Sequence, residues 1–238
     1  MKRALWLLLI WFAAPAAAVT CENVDYLDKS YTTCTVDPAR DNLRLFHRQA
    51  DGIIGSFRGI EALPGVAALP FAMNAGMYHP DRAPVGLYIE GGVEAMRVIP
   101  NAGPGNFGLL PNGVFCINDD SALVFETMDY IAESPTCRDA TQSGPMLVID
   151  GALHPRFLPD SNSRFLRNGV GTTDAGDRAV FVISNSAVSF HEFASFFRDY
   201  LQLPNALYFD GKVSRLHAPA LGRSDFGFQL GPIVGVVE

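Results

Sequence analysis

The chain has 238 residues, with 18 Lys and Arg against 25 Asp and Glu, a net charge of −7 at pH 7, and 48% hydrophobic residues. That balance argues against a generic binder of nucleic acid or of an anionic membrane, so an anionic ligand must meet a few local cations. The length suffices for one sizeable core and no linker or low-complexity stretch interrupts it, so a single domain over 19–238 is expected.

Lys2 and Arg3 precede the apolar stretch 4–14, and Ala16-Ala17-Ala18 offers a small-residue cleavage site, so residues 1–18 read as a secretory signal peptide. No later segment approaches the roughly 20 apolar residues of a spanning helix without charge or proline. A periplasmic or secreted protein is expected. A lipoprotein reading through Cys21 is weaker, because Thr20 stands where such sites want a small residue. The four cysteines, Cys21, Cys34, Cys116 and Cys137, would then sit in an oxidising compartment and form two disulfides. Three connectivities exist. Pairing 21 with 34 and 116 with 137 is favoured, because local pairs close short loops with small distortion. No close Cys-x-x-Cys or His pair suggests zinc.

Segments 43–47, 85–90, 113–117, 122–126, 145–149 and 178–184 are short, apolar or alternating, and bounded by Gly, Pro, Asn or Asp. They read as strands. Between them lie polar punctuations that carry the chemistry. In 71–86, FAMNAGMYHPDRAPVG, an apolar strand ends on Asn74 and the chain then spends Gly76 and two prolines on an irregular turn holding Tyr78 and His79. An amide at such a position must find partners, so Asn74 either braces its own loop or holds ligand hydroxyls. The stretch GPGNFG at 103–108 satisfies G-x-G-x-x-G, yet no helix can open through Leu109-Leu110-Pro111-Asn112-Gly113, so it is no dinucleotide fingerprint. It reads as a loop that can border a pocket through Asn106 and Phe107. In 140–151, Thr141, Gln142 and Ser143 stand at the edge of an apolar strand, and Ser143 and the Gly144 amide suit an anion pocket better than a hydrolase nucleophile, which would need a G-x-S-x-G elbow. SNSRFLRNGVG at 161–171 places Arg164 and Arg167 three apart, a local basic cluster whose guanidinium groups match phosphate or carboxylate oxygens.

One long helix is expected over 189–202, with Phe190, Phe193, Ala194, Phe197, Tyr200 and Leu201 on one face. Ser189 and Glu192 open it with a capping box. With strand 178–184 before it and strand 206–209 after, it forms a strand-helix-strand unit suited to a crossover between parallel neighbours. The fold class is therefore α+β: a single domain with a mixed β-sheet core, few helices and this unit near the C-terminus. The second strand of the unit ends in Asp210-Gly211-Lys212-Val213-Ser214-Arg215. At the carboxyl end of a buried strand such groups face a crevice, so 210–215 read as one wall of a pocket.

Taken together, Asn74-Ala75-Gly76-Met77-Tyr78, Pro84-Val85-Gly86, Gly144-Pro145-Met146-Leu147, Arg167 to Gly171 and Asn205 to Gly211 resemble, in order, elements of the phosphodiester glycosidases, the family that includes the enzyme uncovering mannose 6-phosphate on lysosomal proteins. The wording of 71–90 and 140–151 is most similar to an exported bacterial subgroup. Two elements depart from the pattern: Ala75 replaces a family glycine, and Lys212-Val213 follows Asp210-Gly211 where many relatives carry a second glycine and serines.

The resemblance implies hydrolysis between an anomeric carbon and a phosphodiester, on a cell-envelope glycan or glycoconjugate. A phosphate leaving group is already a stable anion, so a strong general acid matters less and a cationic clamp matters more. On this basis Asp210 is the expected carboxylate at the anomeric carbon, and Arg167 the expected phosphate ligand, helped by Arg164, Lys212 or the Gly144 amide. Asn74 and Ser143 would orient sugar hydroxyls, with Gly76, Tyr78 and Asn106 beside them and His191 a minor candidate for proton transfer. Glu192 is explained by its cap. No cofactor is expected, although an Asp-rich pocket would accept calcium, and the sequence leaves the oligomeric state open. The competing reading is a non-catalytic periplasmic module that binds a glycan or a protein through the same pocket, which the altered Asp-Gly segment favours slightly. A serine hydrolase using Ser143 is a third.

Overall fold

A computed structural model describes residues 19–50 and 52–238. The expected signal peptide lies outside the described residues. The architecture is the α+β class expected: a β core in several sheets with, among the described residues, three short α-helices. A seven-stranded sheet and two five-stranded sheets enclose one apolar interior to which all three contribute, among others Val36, Phe71, Phe115, Phe181 and Phe209.

The central strands of the large sheet are buried on both faces, and they show why the sequence there runs apolar without a break. In Ala179–Ser184, Ala179, Phe181 and Ile183 point into the shared interior, whereas Val180 and Val182 point to the other face, under the helix. Asn205–Asp210 divides the same way, Leu207 and Phe209 inward and Ala206 and Tyr208 toward the helix. A period of two with both faces covered leaves no position for a polar residue until the strand ends.

The expected crossover is corrected in one respect. Ala179–Ser184 and Asn205–Asp210 do run in the same direction, but they are not neighbours: Asn168–Thr172 lies between them, antiparallel to both. Every strand pairing among the described residues is antiparallel. The inserted strand, NGVGT, escaped detection because two glycines and an asparagine look like a loop.

The helix begins as expected, with the Ser189 hydroxyl accepting from Glu192 N–H and the Glu192 carboxylate accepting from Ser189 N–H. It is α-helical only over Phe190–Ser195. Over Phe196–Tyr200 it widens to a π-helix, Leu201 N–H donating to Phe196 C=O at 3.1 Å. The extra residue rotates the apolar face: Phe196 is buried and stacks on Tyr31 at 4.0 Å between centroids, and Tyr200, expected on the buried face, stands half-exposed. Straight 3.6-residue periodicity cannot anticipate such a widening.

Both expected disulfides form, Cys21–Cys34 across the N-terminal hairpin Thr20–Tyr26/Lys29–Val36 and Cys116–Cys137. With its sulfur in that bond, Cys21 has no thiol for a lipid. No helix among the described residues is long and apolar enough to cross a membrane.

Candidate functional site

Where the three sheets meet, Asn74 ends the strand Phe71–Asn74 and is 0% exposed. Its side chain forms a reciprocal amide pair with Asn168: Asn74 Nδ2 donates to Asn168 Oδ1 at 3.3 Å, and Asn168 Nδ2 donates to Asn74 Oδ1 at 3.0 Å and to Asn74 C=O at 2.9 Å. The remaining capacity of both oxygens goes to the 210–215 segment. Asp210 N–H donates to Asn168 Oδ1 at 3.1 Å and Arg215 N–H to Asn74 Oδ1 at 2.9 Å. Ser214 Oγ completes the clasp by donating to Asp210 C=O at 2.8 Å. The Asn74 side chain thus holds the 210–215 turn, not its own loop, and does not touch solvent.

Asn74→Ala would therefore leave the Arg215 N–H without a partner and remove both side-chain bonds of the amide pair, while Asn168 keeps the Asn74 C=O and Asp210 N–H, a cost of about 2–4 kcal/mol. Chemical denaturation of the purified variant checks this, with an unchanged midpoint as the contrary result.

At Asp210 the register of Asn205–Asp210 against Asn168–Thr172 slips, Gly169 facing Tyr208 and Asn168 facing Asp210. Phe209 is the extra residue of a β-bulge, a device that turns a side chain where a ladder ends. Asp210 Oδ1 accepts from Gly211 N–H at 2.6 Å and Lys212 N–H at 2.7 Å. Burial raises the Asp210 pKa above its usual 3.8, and those amides, with Lys212, oppose the rise without cancelling it. Gly211 is required at this turn, since a Cβ would lie 2.2 Å from the Tyr208 hydroxyl. Burial also pushes the Tyr208 phenol upward, against the nearby Arg167 charge and with that of Asp210.

Asp210 lines a cavity of about 640 Å³ together with Tyr78, Asn106, Phe107, Phe165 and Tyr208. The 103–108 loop thus borders a pocket through the two residues the sequence suggested, Phe107 buried as its anchor and Asn106 exposed at the mouth. Through Tyr78, Lys212 and Val213 this cavity adjoins a second of about 690 Å³ that holds Arg82, Lys212, Arg215 and Arg223. Arg223 is neutralised by Asp225 at 2.9 Å. Arg82, Lys212 and Arg215 have no carboxylate partner among the described residues. Arg82 lies 5.2 Å from the centre of the Tyr78 ring, and Arg215 Nη1 donates to Phe228 C=O at 2.6 Å. Burial lowers the pKa of Arg215 from its ordinary value, opposed by the nearby Tyr78 and Asp225.

The other expected site residues fall elsewhere. Arg167 is 1% exposed beneath the Phe190 ring, its Cζ 3.6 Å from the centroid, with Nε donating to Val188 C=O and Nη2 to Ser163 C=O. It lines neither cavity, and its Cζ lies 5.5 Å from the centre of the Tyr208 ring. Arg164 points outward to the Glu192 carboxylate, so the sequence-local pair of arginines is split. Ser143 is sealed, its hydroxyl donating to Phe209 C=O at 3.0 Å, which leaves no free nucleophile for the serine-hydrolase reading. Gly144 is buried behind Asn112, and Gly76, at φ +142, turns the chain toward Tyr78. His191 is half-buried in the first helical turn and lines neither cavity. Among the described residues no group of three or more His, Cys, Asp and Glu is placed to hold a metal.

Three residues at or behind these cavities carry no role assigned from the sequence, Asn168, Tyr208 and Arg82, and Arg215 was read only as part of the 210–215 wall. Asn168 and Tyr208 belong to strands that read as loop and as core. Arg215 carried a usable signal, as a cation five residues past Asp210 on the predicted pocket wall. Arg82 carried none beyond its proline-rich turn.

The phosphodiester glycosidase family model matches residues 68–216. The uncharacterized protein YigE of Escherichia coli strain K12 is 33% identical over 207 residues, covering 85% of this chain and 81% of its own. The fold resembles the zebrafish N-acetylglucosamine-1-phosphodiester alpha-N-acetylglucosaminidase catalytic domain auto-inhibited by pro-peptide, with a TM-score of 0.59 at 12% identity over 92% of this chain and 82% of that one. It also resembles a hypothetical protein from Synechocystis, with a TM-score of 0.56 at 15% identity over 92% of this chain and 62% of that one.

Proposed function

Because the chain belongs to the phosphodiester glycosidase family, we propose that it is an exported hydrolase that cleaves a sugar-1-phosphodiester of a cell-envelope glycan or glycoconjugate. The observation that carries this reading is the juxtaposition of a burial-raised carboxylate, Asp210, in an aromatic-walled cavity with three uncompensated cations in the cavity next to it. In an acidic protein such a cluster suits a bound anion.

The sugar occupies the Asp210 cavity, where Phe107, Phe165 and Tyr78 offer ring faces and Asn106 and the Tyr208 hydroxyl offer hydrogen bonds. The phosphate lies toward Lys212, Arg215 and Arg82. Asp210 takes a proton from water as its oxygen bonds to the anomeric carbon. The bond from that carbon to the phosphate oxygen breaks, its electron pair leaves with the phosphate, and free sugar and a phosphomonoester result. Charge gathering on the leaving oxygens is met by the cations, which serves in place of a strong general acid. Asn74 and Asn168 position the turn, and Arg167 positions Tyr208 from behind. Two disulfides fit an oxidising compartment after export.

The test is release of reducing sugar from a sugar 1-phosphodiester by the purified protein. As a base, Asp210 must be ionised, so activity should rise with pH through an acid-limb midpoint above 3.8, the side to which burial shifts it. A limb at or below that ordinary value, or one unmoved by replacing Asp210, would count against the assignment.

A further inference from the structure

We infer that the substrate of this site is an amphiphile, a sugar 1-phosphodiester whose other ester arm is an apolar chain. This rests on the proposed hydrolase reading of the site and specifies its aglycone.

A third cavity, of about 540 Å³, continues the groove beyond the cations. It shares Arg215, Ser224, Asp225 and Phe226 with the second cavity, and Phe57 and Leu230 belong to its wall. The order along the groove is therefore an aromatic chamber with Asp210, a cationic stretch, and a mixed end where Phe57, Phe226 and Leu230 stand among Ser56, Arg58 and Asp225. A sugar, a phosphate and a chain present the same order.

Four of the ten exposed large apolar side chains among the described residues, the two most exposed included, lie on this line. Phe226 is 96% exposed and Phe228 85%, on either side of Gly227, and Phe165 and Leu166, each about half-exposed, border the first and second cavities. Four large apolar side chains left in water along one groove mark a binding surface rather than scattered exposure. The loop that carries the phenylalanines is held from below by the cation. Arg215 Nη1 donates to Phe228 C=O, and the Arg215 guanidinium packs so closely on Gly227 that a Cβ there would meet it at 2.4 Å. One side chain thus reaches toward the phosphate region while fixing the aromatic rim, which ties the two halves of an amphiphile to a single residue.

The test is equilibrium binding by calorimetry, with dodecyl phosphate below its micellar concentration set against methyl phosphate and dodecyl maltoside. Dodecyl phosphate should bind at least about tenfold more tightly than methyl phosphate, since burying even part of the chain and of one phenylalanine exceeds that difference. The ratio should fall toward one in the Phe226→Ser/Phe228→Ser double variant. Both side chains are outside the core, and an unchanged Tm confirms that the variant folds. Equal binding of the two phosphates, a ratio unmoved by the double substitution, or dodecyl maltoside binding as well as dodecyl phosphate would each overturn the inference. So would a dimer, seen by sedimentation, that the double variant abolishes and dodecyl phosphate leaves intact, because the rim would then belong to a second copy. The measurement needs no turnover. Failure to hydrolyse any sugar 1-phosphodiester refutes the catalytic reading alone, whereas hydrolysis of methyl and dodecyl esters at equal kcat/KM refutes the apolar arm alone.

Discussion

Asp210→Asn should lower kcat by about 10²–10⁴, the usual contribution of a positioned base, while leaving substrate affinity within a few-fold. The substitution is close to isosteric, and its amide oxygen can still accept from the Gly211 and Lys212 N–H groups that Oδ1 accepts from now. The same variant should be more stable than the parent at neutral pH. The sign follows from the raised pKa. Asp210 holds its proton more tightly folded than unfolded, so its contribution is complete below the ordinary value of 3.8 and is lost as pH rises through the folded value. At pH 7 the parent therefore keeps a half-buried carboxyl whose charged form burial disfavours, which the variant lacks. Thermal melts at pH 7 and below pH 3.8 should show a higher Tm for the variant at the first and little difference at the second. A variant that keeps full turnover would sink the mechanism. Tight binding of a glycan phosphodiester without turnover by either protein would select a binding module instead.

Arg215→Ala should lower kcat/KM by about 10²–10³, comparable to removing one donor from a preorganised anion hole. Its effect is separable from that of the frame, because the contact of Arg215 with Asn74 is made by its backbone N–H, which the substitution keeps. Lys212→Ala should cost less, about tenfold, since an exposed ammonium is screened by salt, and that loss should shrink as ionic strength rises. Arg167→Ala provides the contrast. With the guanidinium fully enclosed between aromatic rings and carbonyls, its removal should appear first as lost folding stability and only then as lost activity. A stable Arg167→Ala with abolished phosphate affinity, beside an Arg215→Ala with normal kinetics, would exchange the roles of the two arginines.

Local features were legible in the amino-acid order alone. Turn residues between apolar runs marked strands such as Gly113–Ile117 and Ala122–Glu126 at their observed bounds. Ser189 and Glu192 set the start of the helix, and short loops set the disulfide pairing. Asp210 stood out too, as a carboxylate that no buried strand would carry except at its mouth. Which groups share a surface, by contrast, was settled by packing at long range. Asn168–Thr172 looked like a loop because its glycines serve contacts between distant segments: a Cβ at Gly169 would lie 2.4 Å from Leu207 C=O, and one at Gly171 would lie 2.8 Å from Phe197. Once that strand enters the sheet, Asn168 meets Asn74 and Arg167 turns inward, away from Arg164. The cations left facing the cavity come from positions 82, 212 and 215, on two segments far apart in the chain. A side chain's partners across sheets depend on strand order and register, and no spacing within one segment encodes either.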